Sequence, residues 1–412
     1  MQCPYYAMTY ITKTTMESIS KRVNSLSPSA TIAMNQKSRD LQAKGIDVIN
    51  LSVGEPDFFT PDHIKTAAKK AIDDNFSFYP PVPGYPDLKK AVAEKFKREN
   101  NLDYSTDQII VSCGAKHSLA NAMLSMIDKD DEVIIPAPYW VSYLEQVKLC
   151  EGVPVVIEAK FDANFKITAG QLESAITPKT KALLLCSPSN PSGAVYSRSE
   201  LRSLADVLVK YPRIFIISDE IYEHINFIGG HETIAQFADM KDRTILINGV
   251  SKAYAMTGWR IGYMAAPVWL VKACDKLQGQ TTTGATTIAQ KAATAALTGD
   301  QACVAEMNKA FKRRKELVVK LVREIPGIKV YDPDGAFYVF PKVDSYYGRK
   351  FNGTAVNNST DMCLYLLDQA HIATVPGDAF GDDACIRISF ATSDDKLVDA
   401  MNRMKQALIN LK

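Results

Sequence analysis

The chain has 412 residues, 46% hydrophobic, 23% charged and 9% aromatic, and at ~100–200 residues per domain two domains are expected. Lys and Arg number 48 against 46 acidic residues; the resulting charge of +2 excludes an acidic disordered tail and gives no support to a basic nucleic-acid stripe. Gly 21 and Pro 20 are too few for a low-complexity protein, and no apolar run approaches the ~18 residues that a membrane-spanning helix needs.

Residues 1–15, MQCPYYAMTYITKTT, lack the basic and long apolar regions of a secretory signal. A polar, helix-like pattern from Glu17 to Asn24 follows. It suggests Met16 as the native start, with residues 1–15 an extension without fixed structure. Asp47–Leu51 then reads as a lone strand before the turn Glu55–Pro61. From Gln108 onward short apolar runs recur: Gln108–Ser112, Val133–Ile135, Ala182–Cys186, Ile214–Ile217 and Thr244–Ile247. They do not alternate with polar residues, as expected of strands buried on both faces of a parallel sheet. Helical stretches separate them, for example Arg198–Val209 with Leu201, Leu204, Ala205 and Leu208 on one face. This order predicts an α/β domain over 61–300, a mostly parallel sheet flanked by helices. The last hundred residues change character. Helix patterns at Ala302–Ile325 and Asp395–Leu411 flank strand signals at Ala336–Phe340 and Ile386–Phe390. A smaller α+β domain is expected from 301–412, joined by 16–60.

Eight cysteines stand at 3, 113, 150, 186, 274, 303, 363 and 385, no two within four residues. Free thiols in a reducing cytoplasm are the expectation, rather than a zinc or disulfide framework. The five histidines are scattered, so no metal site is expected. There is no GxGxxG after a strand, no P-loop, no HExxH and no GxSxG, which argues against dinucleotide enzymes, P-loop NTPases, zincins and α/β-hydrolases.

What remains is a row of polar residues at strand ends, where parallel α/β sheets bind ligands. Asn190 follows the 182–186 run, Asp219 the 214–217 run with Tyr222 three residues on, Lys252 the 244–247 run, and Arg260 comes eight residues later. Singly each is ordinary: an Asp caps a helix, a Lys is solvated, Asn-Pro is a turn. Together they match what pyridoxal phosphate requires. The cofactor needs a lysine amine and an acidic partner for its ring nitrogen, since a carboxylate favours the protonated pyridinium. Tyr222 and Asn190 can hydrogen-bond the ring oxygen. Ser251, Arg260 and a helix N-terminus can hold the phosphate.

With those residues in view, the sequence resembles the fold-type I, class I pyridoxal-phosphate aminotransferases, in the bacterial aspartate (aspartate/prephenate) branch. The motifs run in family order from about residue 18 to the C-terminus: Pro28-Ser29-Ala30-Thr31, Gly54-Glu55-Pro56-Asp57, 79–84 (YPPVPG), 138–143 (PYWVSY), 187–193 (SPSNPSG), 218–224 (SDEIYEH), 251–260 (SKAYAMTGWR) and Arg387-Ile388-Ser389. The resemblance implies that Lys252 is the Schiff-base lysine and the base that moves the substrate Cα proton. It implies Asp219 as the pyridinium partner, with Tyr222 and Asn190 on the ring oxygen and Trp140 stacked on the ring. Gly114-Ala115-Lys116 would meet the phosphate with Ser251 and Arg260. Tyr79 would reach the phosphate of the other subunit, implying a homodimer with sites at its interface. Gly54 would lie near the substrate carboxylate and Arg387 would grip it bidentately; on residue type alone, Arg387 also fits a buried structural salt bridge.

The implied reaction is a ping-pong transfer from L-aspartate to 2-oxoglutarate, giving oxaloacetate and L-glutamate. One branch of the family takes a partner-chain arginine for the distal carboxylate, but Gln278–Gly284 contains no Arg or Lys. In the bacterial branch a lysine and a threonine do that work, and Lys116 and Thr31 stand at those positions. The alternative is a prephenate or aromatic amino-acid aminotransferase. A β-lyase or decarboxylase on the same fold suits the Arg387 and Lys116 pair less well. A ligand-sensing regulator on this fold usually appends a DNA-binding domain, and the short N-terminal extension and near-neutral charge argue against that reading. A cytoplasmic enzyme with small-molecule substrates, and neither nucleic-acid nor membrane partners, is expected.

Overall fold

A computed structural model describes residues 19–412. The expected extension of 1–15 lies outside them, and of the Glu17–Asn24 pattern the helix Lys21–Asn24 is seen.

Seven strands form the central sheet: β1 Ile109–Ser112, β2 Glu132–Ala137, β3 Val153–Glu158, β4 Thr180–Cys186, β5 Phe215–Asp219, β6 Thr244–Gly249 and β7 Gly262–Ala265. Their order is β1-β7-β6-β5-β4-β2-β3. β7 runs antiparallel to β1 and β6, and the other pairs are parallel. The unalternating runs are strands β1, β2, β4, β5 and β6, buried along nearly their whole length, with β1 at one edge of the sheet and the other four inside it. Leu184, Ile217 and Ile247 pack on one face, while Leu183, Leu185 and Ile216 pack on the other. Helix Arg198–Val209 forms as expected. Ser197 caps it through a reciprocal pair with Glu200, satisfying N–H groups that the first turn leaves open.

Register aligns the strand ends that matter. Asp219 lies opposite Cys186 on one side and Ile247 on the other. Gly262, at the start of β7, lies opposite both Gly249 and Ser112. Because β7 is reversed, its N-terminal end shares an edge with the C-terminal ends of its neighbours. Arg260, just before β7, therefore reaches the same edge as Asp219 and Lys252.

The C-terminal part packs helices Ala302–Arg323, Ser359–Ala370 and Asp394–Ile409 around short strands Tyr338–Val339, Val375–Pro376 and Ile386–Ser389. The expected strand at Asp47–Leu51 shortens to Ile49–Asn50, pairing in parallel with Ile372–Ala373. The described residues before 60 make contacts to both parts. Met34, Val48, Ile49 and Leu51 enter the core of the C-terminal part. Ser27 N–H, however, donates to the Glu145 carboxylate, and the Thr60 hydroxyl to the Ala255 carbonyl, both beside the central sheet. Arg314 clamps Asp57 bidentately at 2.6 and 2.9 Å, fixing the turn between them.

Candidate active site

A cavity of about 300 Å³ opens at the aligned strand ends. Of the residues singled out from sequence, Thr31, Gly54, Ala115, Lys116, Trp140, Asn190, Asp219, Tyr222, Ser251, Lys252, Arg260 and Arg387 line it. Gly114 stands just behind. Its φ of +86° suits glycine, and a Cβ there would fall 2.2 Å from Arg260 Nη2, so the absent side chain is what admits the guanidinium. Tyr79 lies elsewhere, 92% exposed on the surface.

Asp219 closes β5 at the cavity floor, 3% exposed. Its Oδ2 accepts the Tyr143 hydroxyl at 2.7 Å and its Oδ1 accepts Ile221 N–H at 3.3 Å. Burial pushes its pKa up to about 6, against the pull of the Tyr143 hydrogen bond. Lys252 Nζ donates to the Gly54 carbonyl at 2.7 Å. Burial brings its pKa down to about 8, so roughly a tenth is free amine at pH 7, far more than for an ordinary lysine.

Helix Ala115–Met126 begins at this edge, and its N-cap Gly114 offers no side-chain acceptor to the first-turn N–H groups. Arg260, in a left-handed backbone conformation at φ +57°, leans alongside. Among the described residues its guanidinium donates only to the carbonyls of Thr257 (2.9 Å) and Cys113 (3.3 Å). Lys116 sits in the first turn of that helix, where the helix dipole disfavours a cation. Its Nζ lies 4.7 Å from the Trp140 ring centroid, and partial burial and Arg260 lower its pKa.

Arg387, 1% exposed, comes from strand Ile386–Ser389. It donates to Asn190 Oδ1 (2.9 Å) and the Ser52 carbonyl (2.6 Å), while Nε has no partner. Among the described residues no carboxylate meets this guanidinium, which does not favour the salt-bridge alternative. The same is true of the other three cations. Among the described residues, Lys116, Lys252, Arg260 and Arg387 form no ion pair, and Asp219 is the one carboxylate lining the cavity. Thr31 Oγ1 is buried without a partner. Four cations facing one carboxylate, with open donors and a helix N-terminus, make a site for a ligand carrying several negative charges.

Sequence reasoning missed Tyr143, Tyr338 and Ser52. Tyr143 stands inside a quoted motif, but only the β5 geometry reveals its contact with Asp219. Tyr338 lies in Ala336–Phe340, an aromatic run that reads as core. Ser52 acts through its backbone, which carries no residue-type signal.

A model of the class I and II aminotransferase family matches residues 46–403. A probable aspartate/prephenate aminotransferase of Rickettsia bellii (strain RML369-C) is 48% identical over 395 residues, spanning 95% of this chain and 99% of its own. A bifunctional aspartate aminotransferase and glutamate/aspartate-prephenate aminotransferase of Petunia hybrida is 47% identical, over 96% of this chain and 84% of its own. Among solved structures, the aspartate aminotransferase from Rhizobium meliloti superposes with a TM-score of 0.93 at 44% identity, covering 96% of this chain and all of that one. That of Thermus thermophilus with maleate gives 0.90 at 38%, covering 95% and all.

Proposed function

The chain belongs to the class I and II aminotransferases, and from that premise we propose that it uses pyridoxal phosphate to move the amino group of L-aspartate to 2-oxoglutarate. The observation that carries this reading is the set of four unpaired cations around Asp219. A phosphate and two carboxylates are the anions that such a set suits.

The residues fit the cofactor. Asp219, held by Tyr143, would keep the ring nitrogen protonated; Tyr222 and Asn190 would donate to the ring oxygen, with Trp140 on the ring face. Ser251, Arg260 and the open N–H groups of Ala115 and Lys116 would hold the phosphate. When bound, pyridoxal phosphate supplies an aldehyde carbon that accepts the amino group and a protonated ring that takes up the electron pair released at Cα. The chain's own part is proton movement and placement. Lys252, with its pKa near 8, is suited to attach as free amine and later to take and return the Cα proton. Arg387 clamps the α-carboxylate and fixes which Cα bond faces Lys252, with Gly54 behind it.

Lys116 and Thr31 would hold the distal carboxylate. Support comes from the orphaned Thr31 hydroxyl, from the energetically poor position of Lys116 at a helix start, and from the maleate, a dicarboxylate, present with the Thermus thermophilus enzyme. The names of the relatives favour a second acceptor, prephenate; it too carries two carboxylates, so the same pair would serve it. The test is a substrate panel with Lys116→Ala. Its kcat/KM for aspartate should fall roughly tenfold or more, the worth of a charge-assisted hydrogen bond, while phenylalanine turnover holds. Equal losses for both would overturn the dicarboxylate reading.

The same reading includes a homodimer, a two-domain division (61–300; 16–60 with 301–412) and a cytoplasmic setting. Phe59, Phe78 and Tyr79 are 92%, 80% and 92% exposed, an aromatic surface that suits an interface. The seven described cysteines are free, which suits a reducing compartment. No helix among the described residues is long and apolar enough to cross a membrane.

A further inference from the structure

Tyr338 belongs to the C-terminal part, yet it is 1% exposed and its side chain lines the cavity. Its hydroxyl stands 2.7 Å from that of Tyr222, across a domain-scale separation in sequence. Their rings meet edge-on with centroids 5.8 Å apart. The Arg387 guanidinium lies 4.5 Å from the Tyr338 ring centroid. On a third side the Gly54 backbone closes over the hydroxyl: a Cβ on Gly54 would fall 2.2 Å from it. The carbonyl of that same glycine holds Lys252 Nζ. One phenol thus touches the ring-oxygen donor, the carboxylate clamp and the backbone that seats the catalytic amine.

Two hydroxyls in contact hold two protons, and one suffices for the bond between them. Among the described residues Tyr222 is the one hydrogen-bond partner of the Tyr338 hydroxyl. Burial raises the pKa of both phenols, so both protons are kept near neutral pH. If Tyr338 donates, the Tyr222 proton is left for the cavity.

The geometry points to Tyr338 as a positioning residue that donates to Tyr222 and so directs the Tyr222 phenol proton toward the cofactor's ring oxygen. This rests on the pyridoxal phosphate reading above. Tyr338 does not itself touch the reacting atoms. Its effect passes through Tyr222, and its ring supports Arg387.

Tyr338→Phe keeps the ring and removes only the hydroxyl. In the holoenzyme, the pH midpoint of the bound cofactor's visible absorbance should rise by about half a unit or more, the equivalent of one neutral hydrogen bond. The kcat with aspartate should fall roughly fivefold, while KM stays within about twofold, since Arg387 keeps its support. The same substitution in a Tyr222→Phe background should move neither quantity further, as expected of groups that act as a unit. An unchanged midpoint in Tyr338→Phe would overturn the inference, whether or not the melting temperature drops. So would an equal shift in both backgrounds. If the wild-type protein itself shows no visible absorbance with pyridoxal phosphate, the cofactor reading fails and takes this inference with it. Normal wild-type absorbance with an indifferent Tyr338→Phe removes only the inference.

Discussion

On one side of the turn 218–224, Asp219 and Tyr222 face the cavity, where four cations have no carboxylate partner. On the other side, Glu220 and Glu223 face an interior in which the charges are matched. Glu220 accepts from Ser218 (2.7 Å), Thr233 (2.5 Å) and His231 Nε2 (2.8 Å). Glu223 pairs with Lys95, which is 0% exposed, and accepts from Asn100 at 3.1 Å. Lys95 also donates to Asn100 Oδ1 at 2.8 Å, and Glu99 meets His224 at 2.9 Å. Burial raises the Glu223 pKa, but Lys95, His224 and His231 outweigh it and hold the carboxyl well below its usual range. The two clusters share one backbone turn, and both are rich in charged residue types. What separates them is completeness. A buried charge with partners holds a structure in place, whereas a buried charge kept without one waits for a ligand.

The comparison is broken most sharply at Lys252. Lys252→Ala should cost on the order of 10³- to 10⁴-fold in kcat, since both attachment and proton transfer are lost. The cofactor-free protein should stay folded, with an unfolding midpoint no lower than wild type, because an amine held without a counter-charge has been removed. A large fall in stability would mean the amine is structural.

Next come two substitutions that should behave oppositely. Glu223→Gln takes the nearer counter-charge from buried Lys95, leaving only Glu99 at 3.6 Å, and should cost about 3 kcal/mol in urea unfolding. Arg387→Leu leaves two carbonyl-type acceptors open, but it also removes a buried guanidinium that has no counter-charge among the described residues. The two effects offset, so the net cost should be no more than about 1 kcal/mol, yet amino-acid binding should be abolished in a titration of the holoenzyme. If Arg387→Leu destabilised as much as Glu223→Gln, the division between matched and waiting charges would fail.

The smallest effect is a pH dependence. The Asp219 carboxyl titrates near 6 in the folded protein, against 3.8 for an ordinary aspartate. Between those values the folded state binds the extra proton, so stability of the cofactor-free protein should decline as pH rises from about 4 to 6. The decline is at most about 3 kcal/mol by linkage. Asp219→Asn should flatten it, as read from denaturation midpoints across that range. A slope that survives the substitution would assign it to another group.

Much of this arrangement is legible from residues alone. The strand-end placement of 190, 219 and 252 was legible because unalternating apolar runs mark buried parallel strands, and a residue after such a strand has one edge to emerge from; Arg260 reaches that edge from the start of the reversed β7. The reversed direction of β7 was not legible: a short apolar run gives no direction, and only pairing does. The Lys95 cluster was invisible too, since a lysine on a helix reads as solvated until its partners, Glu223 among them, are placed beside it. Tyr338 was hidden in an aromatic run whose core reading is correct for Phe337 and Phe340. Ile49–Asn50 kept only two residues of its expected strand, because its partner Ile372–Ala373 is no longer.

That last pairing has a consequence for synthesis. Ile49 must wait for Ile372, and Thr31 and Gly54 must wait for Arg387, before the chain can close. At ~5–20 residues per second on the ribosome, the wait is on the order of tens of seconds. During that interval the nascent chain carries an unmatched strand edge and an unfinished cavity, so a message truncated anywhere before codon 387 yields a product without the cavity's Arg387.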